Sequence, residues 1–277
     1  MHFPMPPGAP VHECVGQVVA STSARFQQGD WVMAIPDGNQ GLAEFFTAQE
    51  RRAVSLPPHL DRYDTCPLIQ PLSTVLNAVD RLGEVRGRSV LVMGMGSIGL
   101  MFCWLLQQRG AAAITGIDPL AERCALAETI GATATYTMRG IESAHWSRLD
   151  PGCGLSAEIV IEAVGHQPFS INDCLQLVQK DGTVVAFGVP DDPVYPLEYE
   201  IFFRKNARLQ AVVTPDWSRY LPAARDLFLA HRATLEPLFT HCYPIVQAGQ
   251  AFEHYEKHAD GIIKLLLNAT CWGSDCE

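Results

Sequence analysis

The sequence predicts an α/β protein: a doubly wound parallel sheet preceded by a region of short β-strands. From Ser89 onward, apolar strand-like runs alternate with helical ones. Those strands are apolar throughout, as in a parallel sheet covered by helices on both faces. Between the first of them and the helix that follows stands Gly94-Met95-Gly96-Ser97-Ile98-Gly99, a glycine pattern with a defined strand–turn–helix context.

Residues 1–10 are proline-rich and read as irregular. Gly16–Ala20, Trp31–Ala34 and Ala43–Thr47 then read as strands, separated by Gly, Asp and Pro. Asp61–Leu82 has helical spacing at Leu68, Leu72, Leu76 and Val79, and Pro71 is expected to split it, leaving a helix over 72–82. Strands follow at Ser89–Met93, Ala112–Ile117, Ala157–Ile161 and Thr183–Phe187. Helices are expected at Ile98–Gln108, Leu120–Ile130 and around Ile171–Val178. From Trp217 the tail holds two helical stretches and a last strand near Ile262–Leu267.

The chain of 277 residues allows one or two domains, and with 48% apolar residues it can bury a substantial core. Its net charge of -10 argues against nucleic acid, whose phosphates need clustered cations, and against a polybasic membrane surface. No run reaches the ~18 apolar residues of a membrane span. The start, Met1-His2-Phe3-Pro4-Met5-Pro6-Pro7, has neither the basic end nor the apolar core of a signal peptide. The nine cysteines (Cys14, Cys66, Cys103, Cys124, Cys153, Cys174, Cys242, Cys271 and Cys276) include no C-x-x-C pair. Neither a disulfide framework nor a structural zinc knot is expected, and the reading is a reduced, cytoplasmic protein.

Each glycine of the loop has a physical task. Gly94 permits the tight turn, Gly96 lets backbone approach a pyrophosphate, and Gly99 lets helix and strand pack closely. With Ser97 and Ile98, they open a helix whose free N–H groups and positive dipole end suit phosphate. Asp118 ends the second strand about 24 positions after Gly94, close to the ~20 expected of the acid that bonds the adenosine ribose. No arginine follows Asp118 immediately, so NAD is expected over NADP, whose 2′-phosphate a carboxylate repels. These features predict a Rossmann-type dinucleotide unit.

His12-Glu13-Cys14-Val15-Gly16 resembles the G-H-E-x-x-G motif of the zinc-dependent medium-chain dehydrogenases, and Phe26-Gln27-Gln28-Gly29-Asp30-Trp31-Val32 resembles their F-x-x-G-D-x-V segment. Pro67-Leu68-Ile69-Gln70-Pro71-Leu72-Ser73 is similar to the segment that reads L-I-E-P-L in the sorbitol dehydrogenase branch. Ile161-Glu162-Ala163-Val164-Gly165, Asp181–Gly188 and Gly261-Ile262-Ile263-Lys264 match later strands of the family in the same order. The resemblance implies a GroES-like catalytic domain around the Rossmann unit, divided as 1–71, 72–212 and 213–277. It also implies a substrate cleft between domains, beside a catalytic zinc. Lys264 is then expected near the pyrophosphate and Arg123 beside the adenosine ribose. Dimers or tetramers are common in the family, so self-association is an expectation.

The departures from the family pattern bear on catalysis. Full-length members begin several dozen residues earlier, and that stretch holds the first zinc-ligating cysteine and a proton-relaying hydroxyl. Residues 1–11 contain no cysteine, and Cys14 lies inside the motif. The GroES-like domain is therefore expected to be incomplete, as in an N-terminally truncated reading of a longer chain. His12 and Glu13 remain as catalytic residues and metal ligands. Gln70 stands where relatives carry Cys or Glu, and a neutral amide is a poor zinc ligand. The four-cysteine lobe of the family is absent around Pro36–Gly41. Hydride transfer between an alcohol or polyol and NAD is the expected reaction, with a small alcohol or carbonyl substrate. Two other readings stay open: a zinc-free reductase of the same superfamily, and a dinucleotide-binding protein without turnover.

Overall fold

The computed structural model describes residues 7–150, 152–258 and 260–269. The proline-rich start through residue 6, Cys271 and Cys276 lie outside the described residues. By contacts the chain divides into two compact units, one of Met1–Leu76 with Thr214–Glu277, the other of Asn77–Val213.

In the first unit, β1 (Cys14–Gln17), β2 (Trp31–Ala34) and β3 (Ala53–Ser55) form an antiparallel sheet in that order. The strand expected at Ala43–Thr47 does not form: its alternation meets no neighbouring strand, and Phe45 is exposed. Its place beside β2 is taken by Ala53–Ser55, where Val54 is buried opposite Met33. A 3₁₀ turn at Cys66–Leu68 leads into α1 (Ile69–Leu82). Pro71 does not split this helix. It falls in the first turn, where the backbone N–H has no intrahelical partner, so the missing donor costs nothing.

The second unit is a parallel sheet with helices between its strands. Its elements are β4 (Ser89–Met93), α2 (Ser97–Gln108), β5 (Ala113–Asp118), α3 (Ala121–Ile130), β6 (Ala134–Thr137), α4 (Gly140–Leu149), β7 (Ala157–Glu162), α5 (Ser170–Leu177), β8 (Val178–Ala186), α6 (Tyr199–Arg204) and β9 (Arg208–Ala211). The strand order is β6-β5-β4-β7-β8-β9, every pair parallel. The order reverses between β4 and β7, which makes the crevice at their C-terminal ends the ligand-binding position of such sheets. Val90, Leu91, Val92 and Met93 are all buried, as a central strand covered on both faces requires. Sulfur fills part of this core: Cys103 Sγ lies 3.8 Å from Met95 Sδ, and Cys174 Sγ lies 3.9 Å from Met93 Sδ. Burial pushes the Cys103 thiol up to about 12 and the Cys174 thiol well above its ordinary value.

Asp173 on α5 carries a pH-dependent term. Burial, then the Glu198 carboxylate, push its carboxyl from 3.8 up to about 6, against the opposing pull of Arg148. A carboxyl that holds its proton more tightly when folded contributes stability that is complete below its unfolded pKa and is lost as pH rises through the folded one. Asp173→Asn should therefore stabilise the chain at pH 7 by about 1 kcal/mol, once solvent screening of this half-buried group is allowed for. Below about pH 4 the gain should vanish. Equal gains in thermal melts at the two pH values would rule the carboxyl out as the cause.

The chain then returns to the first unit with α7 (Trp217–Ala230), α8 (Arg232–Leu235), β10 (Phe239–Pro244), α9 (Ala248–Lys257) and β11 (Lys264–Asn268), the last strand falling close to the expected one. β10 and β11 pair in parallel. Arg232 ties this segment to the stretch before α1 through Asp61 (2.7 Å), while Thr65 Oγ1 donates to Glu236 (2.7 Å). Among the described residues no helix is long and apolar enough to cross a membrane.

Candidate functional site

The phosphate loop lies at the C-terminal end of β4, held by a hydrogen bond from Gly94 N–H to Ile117 O (2.8 Å). Gly94 has φ +94, a left-handed conformation that disfavours any side chain, and an added Cβ would stand 2.9 Å from Ala163 O. At Gly99 a Cβ would overlap the carbonyl of Gly94 itself, so this glycine sets how closely α2 packs on the loop. Gly96 differs. Its added Cβ would meet only Arg123 Nη1, at 3.9 Å, so the space above it is open. Gly96 is also the N-cap of α2 and supplies no side-chain cap. The first N–H groups of α2, those of Ser97, Ile98 and Gly99, are thus the unpaired donors of a helix start, facing an opening that a side chain would fill. This cradle fits a dinucleotide pyrophosphate.

Asp118 ends β5 with 4% exposure. Its Oδ2 accepts from Met95 N–H (2.8 Å), inside the glycine loop, and its Oδ1 accepts from Leu120 N–H (2.9 Å). Arg123 Nη1 lies 3.9 Å from Oδ2. Gly96 of the loop, and Asp118 and Arg123 some twenty-odd residues later, therefore converge at one point. Asp118 also fixes the shape of the loop, which its position after a strand did not reveal.

Glu162 was legible only as the end of a strand. It is 2% exposed at the end of β7, directly opposite Met93 of β4. Oε1 accepts from Val164 N–H (3.1 Å) and Gly165 N–H (2.9 Å), and Oε2 accepts from Gly188 N–H (3.0 Å). One carboxylate thus pins the loops after β7 and β8. A Cβ on Gly188 would overlap both Gly165 N and this carboxylate. The available signal was an acid at a strand end with glycine three residues on.

The remaining candidates lie in the first unit. His12 Nδ1–H donates to Pro10 O (2.9 Å), since a carbonyl can only accept; in that tautomer Nε2 is an acceptor. Glu13 Oε2 pairs with Lys264 Nζ at 2.5 Å, and these two side chains are 22% and 16% exposed. Gln70 is buried as the second residue of α1. Cys14 is buried, and burial, with the nearby Glu13 charge, pushes its thiol up to about 12, far from the thiolate a metal requires. Among the described residues no three His, Cys, Asp or Glu side chains are grouped to hold a metal ion. One imidazole, one carboxylate already paired with a lysine and one neutral amide do not make a four-coordinate zinc site. His12, Glu13 and Lys264 open on a groove of about 1730 Å³ in this unit, walled by apolar side chains including Val15, Trp31 and Phe46. β1 and β11 both border it, each paired on one side only.

Residues 97–229 match the family model "Zinc-binding dehydrogenase". The chain is 28% identical over 239 residues to the sorbitol dehydrogenase of Gallus gallus, an alignment covering 84% of this chain and 64% of that protein. The chain thus spans less than two thirds of the length of that relative. Among solved structures it is similar to the alcohol dehydrogenase TADH from Thermus sp. ATN1, with a TM-score of 0.81 and 25% identity, covering 96% of this chain and 86% of the other. The fold is shared with a Sinorhizobium meliloti 1021 protein solved with NADP bound, at TM-score 0.79 and 22% identity over 95% of this chain and 85% of that one.

Proposed function

We propose that the chain is a zinc-type medium-chain dehydrogenase by descent, that it binds NAD(H) and that it serves hydride transfer between an alcohol or polyol and that cofactor. The open cradle at Gly96, with Asp118 and Arg123 beside it, is the observation that carries this reading. The polyol class rests on the name of the sorbitol dehydrogenase relative. We assign 1–71 and 213–277 to a partial GroES-like catalytic domain and 72–212 to the cofactor domain; the partition of contacts supports that division.

When bound, NAD accepts a hydride at its nicotinamide ring. The chain's residues do the rest. The N–H groups of Ser97, Ile98 and Gly99 would hold the pyrophosphate. Asp118 and Arg123 hold the adenosine ribose, and the carboxylate repels a 2′-phosphate. His12, with its Nδ1–H held by Pro10 O, would offer Nε2 as the acceptor for a hydroxyl proton, and Glu13 is the residue next to it in sequence. The free thiols Cys14, Cys66, Cys103, Cys124, Cys153, Cys174 and Cys242 support a reducing compartment such as the cytoplasm. Self-association belongs to the same reading.

The test is a titration of the chain with NAD and NADP by calorimetry, followed by an alcohol and polyol panel read as NADH formation, with metal content measured on the same sample. Tight NAD binding with polyol oxidation is expected. Failure to bind either dinucleotide at millimolar concentration would sink the reading. NAD binding without turnover favours the non-catalytic alternative, as the incomplete set of metal donors does. NADPH preference without metal favours the reductase.

A further inference from the structure

We propose that Glu162 is a positioning residue for the nicotinamide half of the dinucleotide, and that its buried negative charge makes the site favour the oxidised, cationic ring over the reduced, neutral one. This rests on the dinucleotide reading above.

The direction of the dinucleotide follows from the sheet. Asp118 at the end of β5 fixes the adenosine on the β4–β5 side of the switch point, and the glycine loop fixes the pyrophosphate at the end of β4. The other mononucleotide half then crosses to the ends of β7 and β8. Glu162 lies under that half. It is on β7, immediately beside β4, and Ala163 O, the next residue's carbonyl, is the atom that an added Cβ on Gly94 would strike at 2.9 Å.

The side chain has two separable effects there. Its carboxylate accepts N–H bonds from Val164, Gly165 and Gly188, so both loops at these strand ends take their shape from one group. The Glu162 backbone carbonyl adds bonds from Phe187 N–H (3.2 Å) and Gly188 N–H (3.1 Å). Second, three donors on two oxygens is the arrangement of an ionised carboxylate; a protonated one would turn its own O–H against a donor. The partners are backbone amides, which orient the charge without cancelling it. At 2% exposure the charge is poorly screened by water. A fixed anion beside the ring stabilises a nicotinamide cation and does nothing for the neutral dihydronicotinamide.

Calorimetric titration of wild type, Glu162→Gln and Glu162→Asp with NAD⁺ and with NADH, with thermal melts alongside, tests both effects. Glu162→Gln keeps the size, removes the charge and sets an amide against the Gly188 donor. It is expected to shift the ratio of NAD⁺ to NADH affinity about tenfold toward NADH, on top of a lower Tm. Glu162→Asp keeps the charge and shortens the reach, so both affinities should weaken together and the ratio should stay near wild type. A group that only holds loops would move both affinities equally in both variants. An unchanged ratio in Glu162→Gln overturns the proposal. A tenfold change of the ratio in Glu162→Asp, which keeps the charge, would likewise overturn the role given to charge. A wild-type chain that binds neither dinucleotide overturns the reading beneath the proposal, and the proposal with it.

Discussion

Gly99→Ala should disrupt the cofactor unit, whereas Gly96→Ala should leave it folded with weakened dinucleotide binding. The two residues share one motif and differ in what a methyl group would meet. At Gly99 it meets the carbonyl of Gly94, an atom fixed by the hydrogen bond between Gly94 N–H and Ile117 O. Neither backbone can retreat without opening the contact between α2 and β4, and the expected loss is about 3 kcal/mol or more. At Gly96 the methyl group enters open space and the backbone, at φ -70, needs no special freedom. The stability loss there is under about 1 kcal/mol, the cost of alanine at an N-cap. The methyl group nevertheless occupies the approach to the helix N–H groups, so NAD affinity should fall by more than about tenfold. Thermal melts with NAD titrations separate the two outcomes. Equal melting temperatures for the two variants would refute this division of labour.

Asp118→Ser should combine a stability loss with a change of cofactor preference. Serine is too short to serve both Met95 N–H and Leu120 N–H, which are paired with the two carboxylate oxygens on opposite sides. Leaving one such donor unsatisfied costs about 1–3 kcal/mol. With the carboxylate gone, Arg123 stands beside a site that no longer repels phosphate, and the preference for NAD over NADP should narrow by about tenfold or more. The measurement is the pair of dissociation constants for each form. Unchanged NAD affinity would remove Asp118 from the ribose site, leaving it a loop-shaping role alone.

The cofactor unit was readable because its signals are local. β4, the glycine loop, α2 and the acid ending β5 follow one another, each within reach of a pattern in adjacent residues. What escaped reading depends on contacts between distant segments. Glu162 gains its meaning from Gly188, and the Glu13–Lys264 pair joins the two ends of the chain. β6 and α4 went unread because their burial is shallow: Ala134–Thr137 is an edge strand with no fully buried residue, and α4 exposes Ile141 and Leu149. At Ala43–Thr47 the alternation was present but no strand lay alongside to use it. In the first unit, His12, Glu13 and Lys264 line one groove, and Gln70 is buried near the start of α1.

The sulfur packed beneath the phosphate loop has a consequence for how this chain ages. Cys103 and Cys174 are sealed off and held as thiols, so oxidants and electrophiles in solution find no nucleophile there. Among the described cysteines, Cys242, on β10 in the other unit, is the exposed one, so an oxidant reaches it more readily than those two. The two sulfurs packed on Met93 and Met95 thus stay out of reach of solution oxidants for as long as the sheet stays closed.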